Sequence, residues 1–174
     1  MLEFVWVYVL APALGAALAV VTDRWVRPDQ EFADQTARQP MEDRSLKRVL
    51  FVCVENSNRS QMAEAFARMY GDGTVEAFSS GSRPSGKVNP KAVEAMKELG
   101  YDLTRHRSKS LEEIPPGPYD AVVTMGCGDA CPIIAAKRRE DWSIPDPREM
   151  SPEEFRGVRD LIGKKVKDLL ADLK

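Results

Sequence analysis

The sequence predicts an α/β domain of three layers with a central parallel sheet, preceded by one transmembrane helix. The domain is predicted because apolar strand patterns alternate with helical patterns over residues 46–174, as in a parallel sheet covered by helices. The transmembrane helix is predicted because residues 4–21 carry no charged side chain. The expected organisation is a membrane helix over residues 1–26, a flexible linker over residues 27–45 and a folded domain from residue 46 onward.

The N-terminal apolar run is just long enough to cross a bilayer, since about 20 helical residues span roughly 30 Å of hydrocarbon. Arg24 and Arg27 follow the run, which places its C-terminal side in the cytoplasm by the positive-inside bias. A cleavable signal peptide and a buried core helix are the alternatives. The signal peptide is disfavoured because neither Lys nor Arg precedes the run.

The segment that starts at Trp6 resembles the last transmembrane helix of the aquaporin and glycerol-channel family. It carries an aromatic pair, an Ala-Pro step at Pro12 and then small residues around Gly15, which allow close packing between helices. The resemblance implies that the chain is the tail of a channel–enzyme fusion. The Asn-Pro-Ala boxes of the family's pore are absent from the sequence, so this chain alone is not expected to form a channel.

The first strand and the first helix of the domain have the clearest patterns. Residues 49–54 form a continuous apolar run with β-branched side chains, as in a buried parallel strand. Residues 60–70 then have helical periodicity. Three apolar side chains share one face of this helix: Met62, Phe66 and Met69. A second strand is predicted over residues 74–78.

The remaining elements are predicted from capping residues and apolar runs. Asn89 and Pro90 mark the start of a second helix, which Gly100 ends. Residues 119–125 contain a third buried strand. Residues 151–154, Ser-Pro-Glu-Glu, form a capping box that starts a last helix. That helix carries a stripe of apolar residues: Phe155, Val158, Ile162, Val166 and Leu169.

Composition and cysteine usage limit the function classes. With 43% apolar and 30% charged residues, most of the chain is expected to fold around a hydrophobic core. The formal net charge of -2 gives no reason to expect a nucleic acid as partner. Three cysteines are too few for a disulfide scaffold. One stands alone and two are close together, which predicts thiol chemistry in a reducing compartment.

The strongest functional signal is the segment Cys53 to Ser60, between the first strand and the first helix. Ligands of α/β proteins bind at this edge of the sheet, where backbone N–H groups and the positive end of a helix hold an anion. Arg59 offers a planar fork for two anion oxygens, and the same field favours the Cys53 thiolate, to which Ser60 can donate. A buried inert cysteine is the alternative. The residues expected to bind the oxyanion are Val54, Glu55, Asn56, Ser57, Asn58 and Arg59.

This segment resembles the low-molecular-weight protein tyrosine phosphatase family, and most closely the arsenate reductases built on that fold. The closer match comes from Asn56, Ser57 and the run Arg-Ser-Gln-Met-Ala-Glu that begins at Arg59. Similarity continues downstream and covers essentially all of residues 46–174. The resemblance implies a phosphatase-like fold and a general acid at Asp146, for which a simple turn residue before proline is the alternative.

The resemblance also implies a relay of three thiols. Cys53 attacks arsenic(V), Asp146 protonates the departing oxygen, and Cys127 and then Cys131 carry the disulfide outward to an external thiol. Thioredoxin, glutaredoxin or a small thiol would fit as donor, and no bound cofactor is expected. The two resolving cysteines are closer together than in the best-known members. Zinc binding by this pair is the alternative, but only one histidine, His106, is available, and it is expected to be structural.

Some relatives bind a potassium ion beside the anion loop through Asn, Glu, Ser and Asp. Asn56, Glu64 and Ser79 match three of these positions, and Lys109 stands at the fourth. Two interpretations remain open: the Lys109 ammonium replaces the cation, or Lys109 is solvated. No other metal site is expected.

Three functions are compatible with these residues. Arsenate reduction is preferred. A phosphotyrosine phosphatase would share Cys53, Arg59 and Asp146, but phosphatases of this type usually place tyrosines after Asp-Pro, where Arg148 stands here. A non-catalytic, membrane-tethered anion binder is disfavoured by the intact nucleophile. The expected location is the membrane, with the catalytic domain in the cytoplasm, and the expected partners are arsenate, a thiol reductant and the bilayer.

Overall fold

The computed structural model of the chain describes residues 46–126 and 133–173, which lie in one compact unit, Ser45–Lys174. Its strands are β1 Lys47–Cys53, β2 Val75–Gly81, β3 Tyr119–Thr124 and β4 Ala136–Asp141. Its α-helices are α1 Arg59–Gly71, α2 Pro90–Lys97 and α3 Pro152–Asp172. Two 3-10 turns, Leu103–Arg105 and Leu111–Glu113, lie between α2 and β3.

The four strands form a parallel sheet in the order β2-β1-β3-β4. β1 has a neighbour on both sides: Phe51 lies opposite Ser79 of β2 and opposite Val123 of β3. Its apolar run is fully buried, as expected for an inner strand of a parallel sheet. The carboxyl ends of β1, β2 and β3 therefore open at one edge of the sheet, where the anion loop follows β1.

The sheet is the middle of three layers, which confirms the predicted fold class of the domain. The three helices pack on one face, where the core contains Val49 and Phe51 of β1 with Met62, Phe66 and Ile162 of the helices. The opposite face carries a smaller cluster, which consists of Leu50, Val52, Tyr119 and Val122 and is covered in part by Leu111, Ile114 and Ile134. The larger core lies under the helices and fixes α1 against the end of β1.

The predicted helix starts agree with the structure. The Asn89 side chain accepts a hydrogen bond from the Lys91 N–H at 2.9 Å, and Ser151 and Glu154 form the capping box. All five apolar residues of the stripe on α3 are buried. Met69, the third apolar residue of the predicted α1 face, is exposed, because the continuous buried stretch of α1 ends at residue 67 and only Gly71 is buried after it.

One strand was not predicted. β4 has the sequence Ala-Lys-Arg-Arg-Glu-Asp, and its residues alternate between half-buried and exposed. It pairs only with β3 among the described strands, and a charged edge strand is a common way to prevent pairing with another chain. β4 is stabilised by its pairing with β3. The residue pattern of β4 alone does not predict a strand.

The expected membrane location is wrong. Within residues 46–126 and 133–173, the structure contains no helix with the length and apolar character that a membrane crossing requires. The 21-residue helix α3 is long enough, but it carries a charged, exposed side opposite its apolar stripe. The apolar run of residues 4–21 and its resemblance to a channel helix lie outside the described residues, as does the linker.

Candidate active site

Cys53 is the last residue of β1, and only 3% of its surface is exposed. Residues 54–58 connect it to α1, which begins at Arg59. The thiol thus lies at the carboxyl edge of an inner strand and at the amino end of a 13-residue helix. This is where α/β folds bind ligands, and where the helix dipole favours negative charge.

The loop after Cys53 turns its carbonyl groups away from the thiol. Four loop carbonyls accept hydrogen bonds of 2.8 to 3.1 Å from backbone N–H groups of residues 82–89; they belong to Cys53, Val54, Glu55 and Ser57. In a trans peptide the N–H of the next residue points the opposite way, so the N–H groups after these carbonyls face the thiol side. One of them, that of Asn56, lies 3.2 Å from the Cys53 sulfur. The loop therefore forms a cradle of donors for an anion.

The Cys53 sulfur has a second donor close by. Ser60 Oγ lies 3.0 Å from it. The Asn56 side-chain amide donates to the same hydroxyl oxygen at 2.8 Å, which leaves the Ser60 proton free to point at the sulfur. Two donors and the amino end of α1 thus surround the sulfur, which is the nucleophile expected at this position.

The Arg59 side chain is buried and held from both sides. Its Nη1 donates to the Ile144 carbonyl at 3.0 Å, and its Nη2 lies 3.6 Å from Asp146 Oδ2. Gly126 makes room for it, since a Cβ on this glycine would lie 2.8 Å from Arg59 Nη1. Gly126 also has φ of 68°, a conformation that suits glycine. The fork of Arg59 is thus fixed beside the anion loop.

A cavity of about 520 Å³ opens above the thiol. Asp146 lies in its wall with nearly half of its side chain exposed, and the Arg148 N–H donates to its Oδ1 at 3.3 Å. An acid in this wall can deliver a proton to an oxygen bound over Cys53. The remaining residues that line the cavity are Val54, Glu55, Ser57, Asn58, Arg59, Gly126, Arg148 and Glu149.

An ion pair between Arg148 and Glu55 links two segments that line this cavity, the anion loop and the segment that carries Asp146. The Arg148 guanidinium lowers the pKa of Glu55, and Glu55 in turn raises the pKa of Arg148. Ser57 Oγ also donates to Glu55 at 3.3 Å. This pair could not be predicted from the sequence, because its members are far apart in the chain and no motif connects them.

Behind the loop, Asn56 and Gln61 anchor its conformation. Asn56 is fully buried with φ of 50°, and its Oδ1 accepts from Gln61 Nε2 at 2.8 Å and from the Lys109 N–H at 2.7 Å. Gln61 Oε1 lies 2.9 Å from Nδ1 of His106, and Tyr101 Oη lies 2.9 Å from its Nε2. Burial lowers the pKa of His106, so the neutral ring holds this network together near pH 7 and has the structural role expected for it.

The residues of the expected cation site are in contact. Ser79 Oγ accepts from Asn56 Nδ2 at 2.9 Å and donates to the buried Glu64 carboxylate. Lys109 Nζ lies 3.2 Å from Glu64 Oε2, and Arg68 also pairs with Glu64. Among the residues that the structure describes, no group of three or more His, Cys, Asp and Glu could hold a metal ion. The buried Glu64 carboxylate is thus neutralised by cationic side chains of the protein itself, Lys109 and Arg68.

The structure brings together most of the residues expected at the site. Of the six expected oxyanion ligands, five line the cavity, whereas the Asn56 side chain points away into the network behind the loop. Ser60 contacts the thiol from below. Cys127 and Cys131 lie outside the described residues. The chain enters their segment directly from Gly126, in the cavity wall.

Comparisons with known proteins agree with this geometry. The family model described as low molecular weight phosphotyrosine protein phosphatase matches residues 48–174. A glutaredoxin arsenate reductase of Synechocystis is 38% identical over 131 residues, which cover 74% of this chain and 99% of that protein. Arsenate reductase 2 of Staphylococcus saprophyticus is 42% identical over 125 residues, which cover 70% of this chain and 94% of that protein.

A solved structure of an arsenate reductase in the phosphate binding state superposes with a TM-score of 0.69 at 38% identity. The superposition covers 74% of this chain and 100% of that one. In all three comparisons, nearly the whole length of the relative aligns with this chain. The aligned part of this chain holds the candidate site. These findings give the membrane location no support.

Proposed function

Because the chain belongs to the low-molecular-weight phosphotyrosine protein phosphatase family, and because similar relatives are named arsenate reductases, we propose that it reduces arsenate to arsenite. The observation that carries the proposal is the Cys53 thiol in a cradle of anion donors beside the fixed fork of Arg59. Two further thiols, Cys127 and Cys131, come directly after the cavity wall at Gly126. A site that only hydrolyses esters has no use for these two thiols.

The first step forms a sulfur–arsenic bond. The Cys53 thiolate attacks arsenic(V), one arsenic–oxygen bond breaks, and the departing oxygen leaves as water with a proton from Asp146. The loop N–H groups and Arg59 bind the remaining oxygens and stabilise the charge that develops on them. Arsenic is still in the +5 state in this adduct.

The electrons are supplied in the second step. The Cys127 thiolate attacks the Cys53 sulfur, the sulfur–arsenic bond breaks, and its electron pair stays on arsenic, which leaves as arsenite. A Cys53–Cys127 disulfide remains. Cys131 then attacks the Cys127 sulfur, which releases the Cys53 thiolate and leaves a Cys127–Cys131 disulfide. Two thiols have been oxidised for each arsenate reduced.

An external thiol must reduce the final disulfide, and thioredoxin or glutaredoxin has the chemistry to do so. A small thiol would also fit, since any external thiol can attack the Cys127–Cys131 disulfide once arsenite has left. We place the catalytic domain at residues 46–174, and all groups of the mechanism lie in this range.

Phosphate ester hydrolysis is the second candidate function, because the matching family model is that of a phosphatase. Cys53, Arg59 and Asp146 would perform the first step of both reactions, with phosphorus in place of arsenic. The two functions diverge once the bond to sulfur has formed. Water resolves a phosphoryl cysteine, whereas a second thiol must resolve the arsenate adduct.

Substitution of single cysteines separates these functions. We expect Cys127→Ser to lose arsenate reduction while weak hydrolysis of an aryl phosphate by Cys53 and Arg59 remains. Cys131→Ser is expected to release arsenite in one turnover and then to stop as a Cys53–Cys127 disulfide, which mass spectrometry under non-reducing conditions identifies. Cys53→Ser is the control and loses both reactions. Wild-type arsenate reduction by Cys127→Ser over many turnovers would show that an external thiol attacks the Cys53 adduct directly.

A further inference from the structure

The cavity above Cys53 is lined by several acidic side chains although it receives a dianion. Its wall includes three carboxylates, those of Glu55, Asp146 and Glu149, and two guanidiniums, those of Arg59 and Arg148. Arg59 lies near Asp146 and is also held by a carbonyl. An incoming oxyanion therefore meets repulsion unless the remaining acids are neutralised.

Glu55 is the only one of these three acids that belongs to the anion loop itself. It is the second residue after Cys53, in the loop whose N–H groups form the donor cradle. Its side chain is about one-third exposed and lines the cavity. A free carboxylate at this position would share the space above the thiol with the oxyanion and would weaken its binding.

Arg148 is placed to neutralise this charge. It pairs directly with Glu55, and both side chains line the cavity. Its backbone is held in place, because Lys91 Nζ donates to the carbonyls of Arg148 and Met150 at 2.9 and 3.0 Å. These hydrogen bonds fix the backbone from which the Arg148 side chain extends. The ion pair then joins the segment that carries Asp146 to the anion loop.

We propose that Arg148 is required for tight binding of the oxyanion, and that it acts by neutralising Glu55. In this role it is a positioning residue, since its guanidinium acts on the anion through the Glu55 carboxylate with which it pairs. The inference rests on the proposed function for the identity of the substrate. The binding of inorganic phosphate, which has the same shape and charge as arsenate, tests it without any reduction step.

The test uses the reduced full-length chain and follows alkylation of Cys53 by iodoacetamide with peptide-level mass spectrometry. The concentration of inorganic phosphate that halves the alkylation rate measures anion binding. We expect Arg148→Ala to raise this concentration about tenfold at low salt, and less at high salt, where charges at an exposed site are screened. Arg148→Lys should keep most of the affinity because it keeps the charge.

The decisive comparison is with Glu55→Gln, alone and combined with Arg148→Ala. Glu55→Gln should bind phosphate more tightly than the wild type, and the double variant should return to within about twofold of the wild-type concentration, because it removes one charge of each sign. If the double variant binds as weakly as Arg148→Ala, the arginine contacts the anion directly and the proposal is wrong. It is equally wrong if Glu55→Gln weakens binding as much as Arg148→Ala, since the pair would then be a structural bridge.

A matched control is available elsewhere on the surface. Arg156 and Glu98 form an ion pair with nearly the same exposure, 47% and 36%, as the 46% and 33% of Arg148 and Glu55, but away from the cavity. Arg156→Ala should leave phosphate protection of Cys53 unchanged. A loss of protection in this variant would assign the effect to net charge and would overturn the proposal.

Discussion

The floor and the rim of the active site are built differently. The floor consists of Cys53, Ser60 and Arg59, which are at most 7% exposed and held by hydrogen bonds of 3.0 to 3.2 Å. The rim consists of Asp146 and Arg148, whose side chains are nearly half exposed. Buried and pre-organised donors act strongly on a developing charge, whereas exposed charges are screened by solvent. We therefore expect changes in the floor to abolish chemistry and changes in the rim to adjust it.

The largest effect in the floor is expected for Arg59→Lys. Lysine keeps the charge but loses the planar fork, and its ammonium cannot reproduce both the contact with the Ile144 carbonyl and the grip on two oxygens. Arsenate kcat/KM should fall roughly a hundredfold to a thousandfold. Steady-state kinetics measures this loss, with Arg156→Lys on the exposed side of α3 as control. A loss of less than tenfold would show that charge alone is sufficient at this position.

A smaller effect is expected at the rim for Asp146→Asn. The amide keeps the shape but cannot donate an acidic proton to the departing oxygen, so kcat should fall roughly tenfold to a hundredfold. KM should change little, because the contact between Asp146 and Arg59 is long at 3.6 Å. Asp168→Asn, at an exposed position of α3, is the control. An unchanged kcat would assign the proton to water and would leave Asp146 as a turn residue.

Behind the floor, Lys109 is expected to determine whether the reaction rate depends on potassium. Its ammonium lies 3.2 Å from the buried Glu64 carboxylate, and we propose that it takes the place of a cation. The wild-type rate should therefore not change when potassium replaces sodium. Lys109→Asp should create potassium activation, since Asn56, Glu64 and Ser79 already provide oxygen ligands. A wild-type enzyme that potassium clearly activates would contradict this interpretation.

Far from the site, Glu98 is expected to have a small effect on stability only. Hydrogen bonds from Arg156 and then Arg159 lower the pKa of Glu98 to about 2. The folded pKa lies below the usual 4.5, so this contribution is complete above pH 4.5 and is lost as the pH falls toward 2. Glu98→Gln should lower the Tm by roughly 2 °C at pH 7. The difference in Tm between variant and wild type should vanish as the pH falls from 4.5 toward 2. A difference that grows as the pH falls would contradict the assignment.

The same contrast explains how much could be predicted from the sequence. The floor was predictable because Cys53, Arg59 and Ser60 are close in sequence and lie between a strand and a helix with clear patterns. The pair of Arg148 and Glu55 was not, because residues 93 positions apart meet only in the fold. β4 was missed because a charged edge strand carries no apolar run. The membrane location was wrong because it rested on the apolar run alone, whereas the described helices bury their apolar side chains in the core of the domain.

The central claim, that this chain supplies the two electrons for arsenate reduction from its own thiols, can be tested in a single turnover. Fully reduced wild-type protein is mixed with excess arsenate in the absence of any external thiol, and arsenite and free thiols are counted. The relay predicts one arsenite per chain, a fall from the three cysteine thiols of the sequence to one, and a Cys127–Cys131 disulfide. If no arsenite forms and all three thiols remain, the electrons come from elsewhere and the proposed relay is contradicted.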